Sequence, residues 1–184
     1  SASAAMAALP QQVVPSGWVP DDRHTVAPGE KVILTIEDDI AFARILVDII
    51  RRKGLRALAA PDGESGLELA RRFRPTGILL DVMLPGMDGW TVMQYLKQDP
   101  STTAIPVHFI SAVDEAERGR AMGAIGYLTK PVDRKSLQAA FDRMLDVAGK
   151  IVRKLLVVDK DPESREALVQ LVRNEKVEID EAAS

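Results

Sequence analysis

The chain has 184 residues, a formal net charge of -3 and no cysteine. That length holds one domain of about 120 residues plus extensions. The mild acidity and the lack of any basic block argue against nucleic acid as the main partner; the missing cysteines exclude disulfides and thiolate metal sites and fit a cytoplasmic setting.

In chain order, residues 1–30 carry Pro10, Pro15, Pro20 and Pro28 among scattered polar residues. Prolines at that density prevent a continuous helix or a central strand. The segment reads as a largely irregular linker or tail, with Val13, Val14 and Trp18 as contact points if it drapes on a domain. Ser1 to Leu9 is alanine-rich but lacks a basic start and a long apolar centre, so it does not read as a signal peptide. No apolar run approaches the roughly 20 residues that a membrane helix needs, so no membrane contact is expected of this chain.

Val32 to Ile36 is a short apolar run of the kind buried on both faces of a sheet, and it ends in Glu37-Asp38-Asp39. Phe42, Ile45, Leu46, Ile49 and Ile50 then recur at helical spacing, and Gly54 ends that helix. Leu55 to Ala59 reads as a second strand. Pro61-Asp62-Gly63 turns into a helix carrying Leu67, Ala70 and Phe73, stopped by Pro75. Ile78 to Leu80 is a third apolar run, and it delivers Asp81 to its C-terminal end. Pro85-Gly86 and Asp88-Gly89 make a loop, followed by a helix with Trp90, Met93 and Leu96. Val107 to Ile110 ends at Ser111, and Asp114 to Met122 suggests a short, weakly apolar helix. Ile125 to Leu128 leads to Thr129-Lys130-Pro131, and a last helix places Leu137, Phe141, Met144, Leu145 and Ala148 on one face.

Strand and helix thus alternate five times, which implies a parallel α/β sheet covered on both faces with right-handed crossovers. In such sheets, ligands gather at the carboxyl ends of the strands. There the sequence places an acidic pair, a lone carboxylate, a hydroxyl and an ammonium. Taken singly, each has a plainer reading. Asp81 could cap the following turn, Glu37-Asp38-Asp39 could cap the first helix, and Asp39 is expected to do so in any case. Lys130 could be a solvated lysine, and Tyr127 a half-buried strand residue. His108 lies inside a strand and reads as structural.

A second pattern follows. Leu155-Leu156-Val157-Val158-Asp159-Lys160-Asp161 echoes Ile33 to Asp39 at an offset of 122 residues, and Leu168, Leu171, Val172 and Val177 keep that register against Leu46, Ile49, Ile50 and Leu55. A lone strand–helix–strand unit cannot bury its apolar face, so residues 151–184 are expected to pack against the first domain or a neighbouring chain.

The four-part set, with the local string from Asp81 to Gly89, resembles the receiver domain of two-component response regulators over residues 31–149. The resemblance implies a doubly wound, flavodoxin-like five-stranded parallel sheet in the order 2-1-3-4-5, with the C-terminal β-α-β extension as the truncated start of a second receiver. Tandem receivers resemble the tail of a hybrid sensor histidine kinase. It further implies that Asp81 accepts a phosphoryl group from a phosphohistidine, with Lys130 and Ser111 as its catalytic helpers and Ser111 and Tyr127 as the switch pair. Mg2+ or Mn2+ is expected on Asp38, Asp81 and the backbone carbonyl of Met83, and on Glu37 through water. All-oxygen donors suit such hard cations. The implied partners are a histidine kinase or histidine phosphotransfer domain and a downstream signalling protein; a homodimer stays open.

Two positions depart from the common pattern. Glu37 stands where many relatives have aspartate, and its extra methylene should set it farther from the metal. Met83 is apolar and cannot orient an attacking water, which leaves the lifetime of the phosphoryl group and any self-dephosphorylation open. Two other classes compete. One is a receiver-like interaction module that takes no phosphate, against which the intact set Glu37, Asp38, Asp81, Ser111 and Lys130 argues. The other is a phosphatase with an aspartyl-phosphate intermediate, which wants a second acid where Met83 stands.

Overall fold

The computed structural model describes residues 18–149, 153–158, 160–172 and 177–182. Its elements alternate: β1 Val32–Ile36, α1 Ile40–Arg52, β2 Arg56–Ala60, α2 Gly63–Phe73, β3 Gly77–Asp81, α3 Gly89–Gln98, β4 Val107–Ser111, α4 Ala116–Ala121, β5 Gly126–Thr129 and α5 Arg134–Gly149. The first five strands form one parallel sheet in the order β2-β1-β3-β4-β5. This is the doubly wound arrangement that the alternation and the resemblance imply. Boundaries differ from the sequence reading by a residue at several ends; the second strand starts at Arg56 rather than Leu55.

Strand alternation divides the core into two layers. Val32, Leu34, Ile36, Ile78, Leu80, Val107 and Phe109 face α2 and α3, where Leu67, Ala70, Trp90, Met93 and Leu96 cover them. Ile33, Leu79 and Ile110 face α1 and α5, under Leu46, Ile50, Leu137, Phe141 and Met144. The buried face of α1 is Ala43, Leu46, Val47 and Ile50. Ile45 is 52% exposed, a correction to its placement on the apolar face. It stands about 100° round the helix from Leu46, so the stripe runs through Ala43 and Val47 instead.

Aspartates start five of the described helices, with Asp133 at the start of α5 and Asp161 at that of the C-terminal helix Pro162–Val172. Asp39, Asp62 and Asp88 accept hydrogen bonds from first-turn amides of α1, α2 and α3, each such cap contributing about 1 kcal/mol. Gly89 opens α3 against the end of β3, where an added Cβ would lie 2.1 Å from the Asp81 carbonyl oxygen.

Before β1, the proline-rich segment is ordered from residue 18. Trp18 packs on the α1–α5 side of the core, and Val19 is buried there. Residues 21–23 then run along the free edge of β2. Ala57 N–H donates to Asp22 Oδ2 and Ala59 N–H to Asp21 Oδ2, while Asp22 N–H and the Arg23 guanidinium donate to the carbonyls of Ala57 and Ala59. Arg51 holds Asp22 from α1 at 2.8 Å. Val13 and Val14 lie outside the described residues.

The C-terminal part forms β6 Arg153–Val158, α6 Pro162–Val172 and β7 Val177–Ala182. β6 and β7 pair in parallel in a sheet of their own. Among the described residues, these elements pack on one another and not extensively on the first five strands and their helices. Leu168, the counterpart of Leu46, is exposed.

Candidate functional site

Parallel register brings the polar residues together at one end of the sheet. Ile36 is opposite Leu80, so Glu37 follows alongside Asp81. Asp81 is opposite Ile110, which puts Ser111 one step beyond it. Ser111 is opposite Thr129, and the Lys130 N–H donates to the Ser111 carbonyl at 2.7 Å. The Lys130–Pro131 peptide is cis.

Lys130 reaches across these strand tips. Its Nζ lies 2.6 Å from Asp81 Oδ2 and 3.0 and 2.9 Å from Glu37 Oε1 and Oε2. The other oxygen of Asp81, Oδ1, accepts the Met83 N–H at 2.9 Å. Asp81 and Glu37 are buried, whereas Asp38 is exposed. Carboxylate oxygens of Glu37, Asp38 and Asp81 all lie within 4.8 Å of one another. Met83 extends its side chain into solvent, 62% exposed, beside the acidic cluster.

Burial dominates the electrostatics of Glu37 and, with the nearby Asp81 charge, pushes its carboxyl up to about 7 against the pull of Lys130. Burial alone would lower Lys130, but its hydrogen bonds to Asp81 and Glu37 outweigh that and raise its pKa. Three crowded carboxylates against one ammonium leave the pocket electronegative. The donor set is entirely oxygen, with one member open to water. It fits a small hard dication that keeps part of its hydration shell, and Glu37, Asp38 and Asp81 would hold it.

Ser111 and Tyr127 meet at the loop after β4. Ser111 is fully buried, and its Oγ accepts the Val113 N–H at 3.2 Å. The Tyr127 hydroxyl donates to the Val113 carbonyl. The Tyr127 ring lies 6.1 Å from that of Phe109, which in turn packs 4.6 Å from Trp90. Gly119 of α4 lets both rings approach, since a Cβ there would sit 3.2 Å from each. His108 points into the α5 side of β4, with Nδ1 3.2 Å from the Phe109 carbonyl, consistent with a structural residue.

All the residues singled out in the sequence as an acidic pair, lone carboxylate, hydroxyl and ammonium thus converge. Two contacts were not foreseen. Phe42 places its ring beneath Lys130, with Nζ 4.8 Å from the centroid; helical spacing had marked it only as a core residue. The Asp21-Asp22-Arg23 clip on β2 carries no sequence signal beyond its charge.

Residues 33–142 match the response regulator receiver domain, and the chain belongs to that family. Over 104 residues it is 43% identical to the response regulator PleD of Caulobacter vibrioides, covering 55% of this chain and 23% of PleD. It is 34% identical to protein PilH of Pseudomonas aeruginosa over 116 residues, covering 61% of this chain and 96% of PilH. The chain therefore spans about a quarter of PleD but nearly all of PilH. Among solved structures, a response regulator from Chloroflexus aurantiacus superposes with TM-score 0.60 at 28% identity, covering 64% of this chain and 98% of that one. The receiver domain of sensor histidine kinase PA1611 from Pseudomonas aeruginosa gives 0.58 at 26% identity, over 64% of this chain and 98% of that one, and holds a magnesium ion in its active-site cleft. Among the described residues, no helix is long and apolar enough to cross a membrane.

Proposed function

We propose that this receiver domain is a phosphoacceptor in a two-component phosphorelay, with Asp81 as the residue that carries the phosphoryl group. The observation that carries the reading is the Lys130 ammonium, bonded at once to Asp81 at 2.6 Å and Glu37 at 2.9 Å across the carboxyl edge of the sheet.

A carboxylate oxygen of Asp81 attacks the phosphorus of a partner's phosphohistidine. The new P–O bond forms as the P–N bond breaks, the imidazole nitrogen leaves with its electron pair, and an aspartyl phosphate results. Phosphoryl transfer needs mostly positioning and charge neutralisation. The Met83 N–H orients the Asp81 carboxylate, Lys130 balances charge on the phosphoryl oxygens, and Ser111 offers a hydroxyl to the same group. Asp38, Asp81, the Met83 carbonyl and, through water, Glu37 would hold Mg2+ or Mn2+, which would supply further positive charge. The phosphoryl dianion then competes for Ser111 and Tyr127 at the Val113 loop, which biases the α4–β5–α5 face toward a second packing.

The donor is a histidine kinase or histidine phosphotransfer domain, the reader a downstream signalling protein, and the compartment the cytoplasm. Residues 150–184 are the start of a second receiver. Support comes from the parallel pairing of β6 and β7 around α6, the arrangement that β1, α1 and β2 adopt. Such a tandem belongs at the tail of a hybrid sensor histidine kinase.

The test is intact-mass measurement after acetyl phosphate and Mg2+ treatment, on the parent and on Asp81→Asn. One labile phosphoryl adduct on the parent alone is expected. No adduct on the parent, with no response to beryllofluoride, would leave an interaction module that takes no phosphate.

A further inference from the structure

Phe42 lies in the first turn of α1, half-buried, and its ring centroid is 4.8 Å from the Lys130 ammonium. The ammonium's other described contacts are all carboxylate oxygens, two from Glu37 and one from Asp81. The phosphoacceptor reading, on which this inference rests, changes every one of them. One Asp81 oxygen becomes the bridging oxygen of an acyl phosphate, and Glu37 would face the water of a bound cation. A lysine head sits on a flexible four-carbon stem and loses its place easily when its partners leave. The aromatic face belongs to none of the reacting groups, so it is the contact that persists throughout.

We propose that Phe42 is a positioning residue: its ring holds the Lys130 ammonium over Asp81 while the carboxylate partners are exchanged for cation and phosphoryl oxygens. The ring carries negative quadrupole density on its face, which a partly desolvated ammonium feels strongly. An aliphatic residue of similar size would cover the same apolar surface without that attraction. The fully buried face of α1 is Ala43, Leu46, Val47 and Ile50, and Phe42 packs at its margin with part of the ring left to meet Lys130. On a helix whose start is fixed by the Asp39 cap, the half-buried ring packs on the edge of the α1–α5 core and also reaches the Lys130 ammonium.

The variants Phe42→Leu and Phe42→Trp separate the π face from mere bulk. Two readouts are used on the full chain. One is the chemical shift of the Lys130 ε-CH2 protons without metal, assigned by their loss in Lys130→Arg. The other is the rate of phosphorylation by acetyl phosphate at saturating Mg2+. In the parent the ε protons should lie upfield under the ring current. They should return toward the free-lysine position in Phe42→Leu and stay upfield in Phe42→Trp. The rate should fall roughly two- to fivefold in Phe42→Leu, the range that an ordinary cation–π contact spans, and recover in Phe42→Trp, with Mg2+ affinity unchanged. Free-lysine shifts in the parent, an unchanged rate in Phe42→Leu, or equal losses in both variants would overturn the proposal. If the parent shows the upfield shift but takes no phosphoryl group, the phosphoacceptor reading falls while the hold of Phe42 on Lys130 stands.

Discussion

Ser111 and Tyr127 are tied to the two backbone groups of one residue: the Val113 N–H donates to Ser111 Oγ, and the Tyr127 hydroxyl donates to the Val113 carbonyl. A buried strand end and a half-buried aromatic therefore share one loop. Any pull on the Ser111 hydroxyl is felt at Tyr127 through a single residue. In Ser111→Ala the Val113 amide loses its acceptor, and a lost hydrogen bond of about 1 kcal/mol should speed its hydrogen exchange roughly fivefold. Tyr127→Phe should also speed exchange at Val113. An unchanged rate in that variant would show two independent ties rather than one unit.

Lys130 offsets two buried acids at once. Lys130→Met should lower the stability of the metal-free protein by about 1–3 kcal/mol, since Glu37 and Asp81 then face each other without a cation. Added Mg2+ should restore more stability in this variant than in the parent, because nothing then competes for the carboxylate oxygens. Denaturant melts with and without Mg2+ measure both effects; an equal Mg2+ response in the two proteins would count against shared use of these oxygens.

Gly89 is held at the site by space. An added Cβ would meet the Asp81 carbonyl oxygen at 2.1 Å and Val82 Cα at 2.8 Å, both backbone atoms that cannot step aside. Gly89→Ala should cost at least about 1–3 kcal/mol by overpacking and shift the Asp81 amide resonance. Gly54→Ala meets no neighbour within 4 Å but has φ 74°, so its smaller loss should leave Asp81 unmoved. Urea melts and amide spectra of the pair provide the check.

His108 gives a pH dependence with a defined sign. Burial chiefly, with the Arg143 charge nearby, holds its pKa below the ordinary 6.5, although the Phe109 carbonyl pulls the other way. The folded state keeps His108 neutral while the unfolded chain takes up a proton below about 6.5. Its contribution to stability is therefore present above pH 6.5 and is lost as the pH falls toward the folded pKa, by at most about 1.4 kcal/mol per pH unit. Stability of the parent minus that of His108→Gln, measured from pH 7.5 to 5, should decline below 6.5; a flat difference would mean that the imidazole charges equally in both states.

Much of this was legible in the chain. Each strand is a short apolar run and each major helix an apolar stripe, so the alternation and the sheet follow from periodicity alone. The site was legible because its members sit at strand ends, where parallel register must gather them. Ile45 was misplaced because a stripe counted from Phe42 fits two neighbouring faces, and only packing against the sheet selects the one through Ala43 and Val47. The contact of Phe42 with Lys130 joins α1 to the far side of the sheet, and no local pattern encodes a distance of that kind. The edge clip was hidden for another reason. Asp21 and Asp22 accept backbone hydrogen bonds in place of a strand, and carboxylates in a proline-rich stretch carry the signature of a solvated linker.

That clip has a consequence for how the molecule behaves in a crowd. Ala57 and Ala59 have their outward amides and carbonyls already spoken for by Asp21, Asp22 and Arg23. A ribbon from another polypeptide finds no ladder to climb on that flank, so the small, flat, alanine-rich border of the sheet is kept from seeding fibrils.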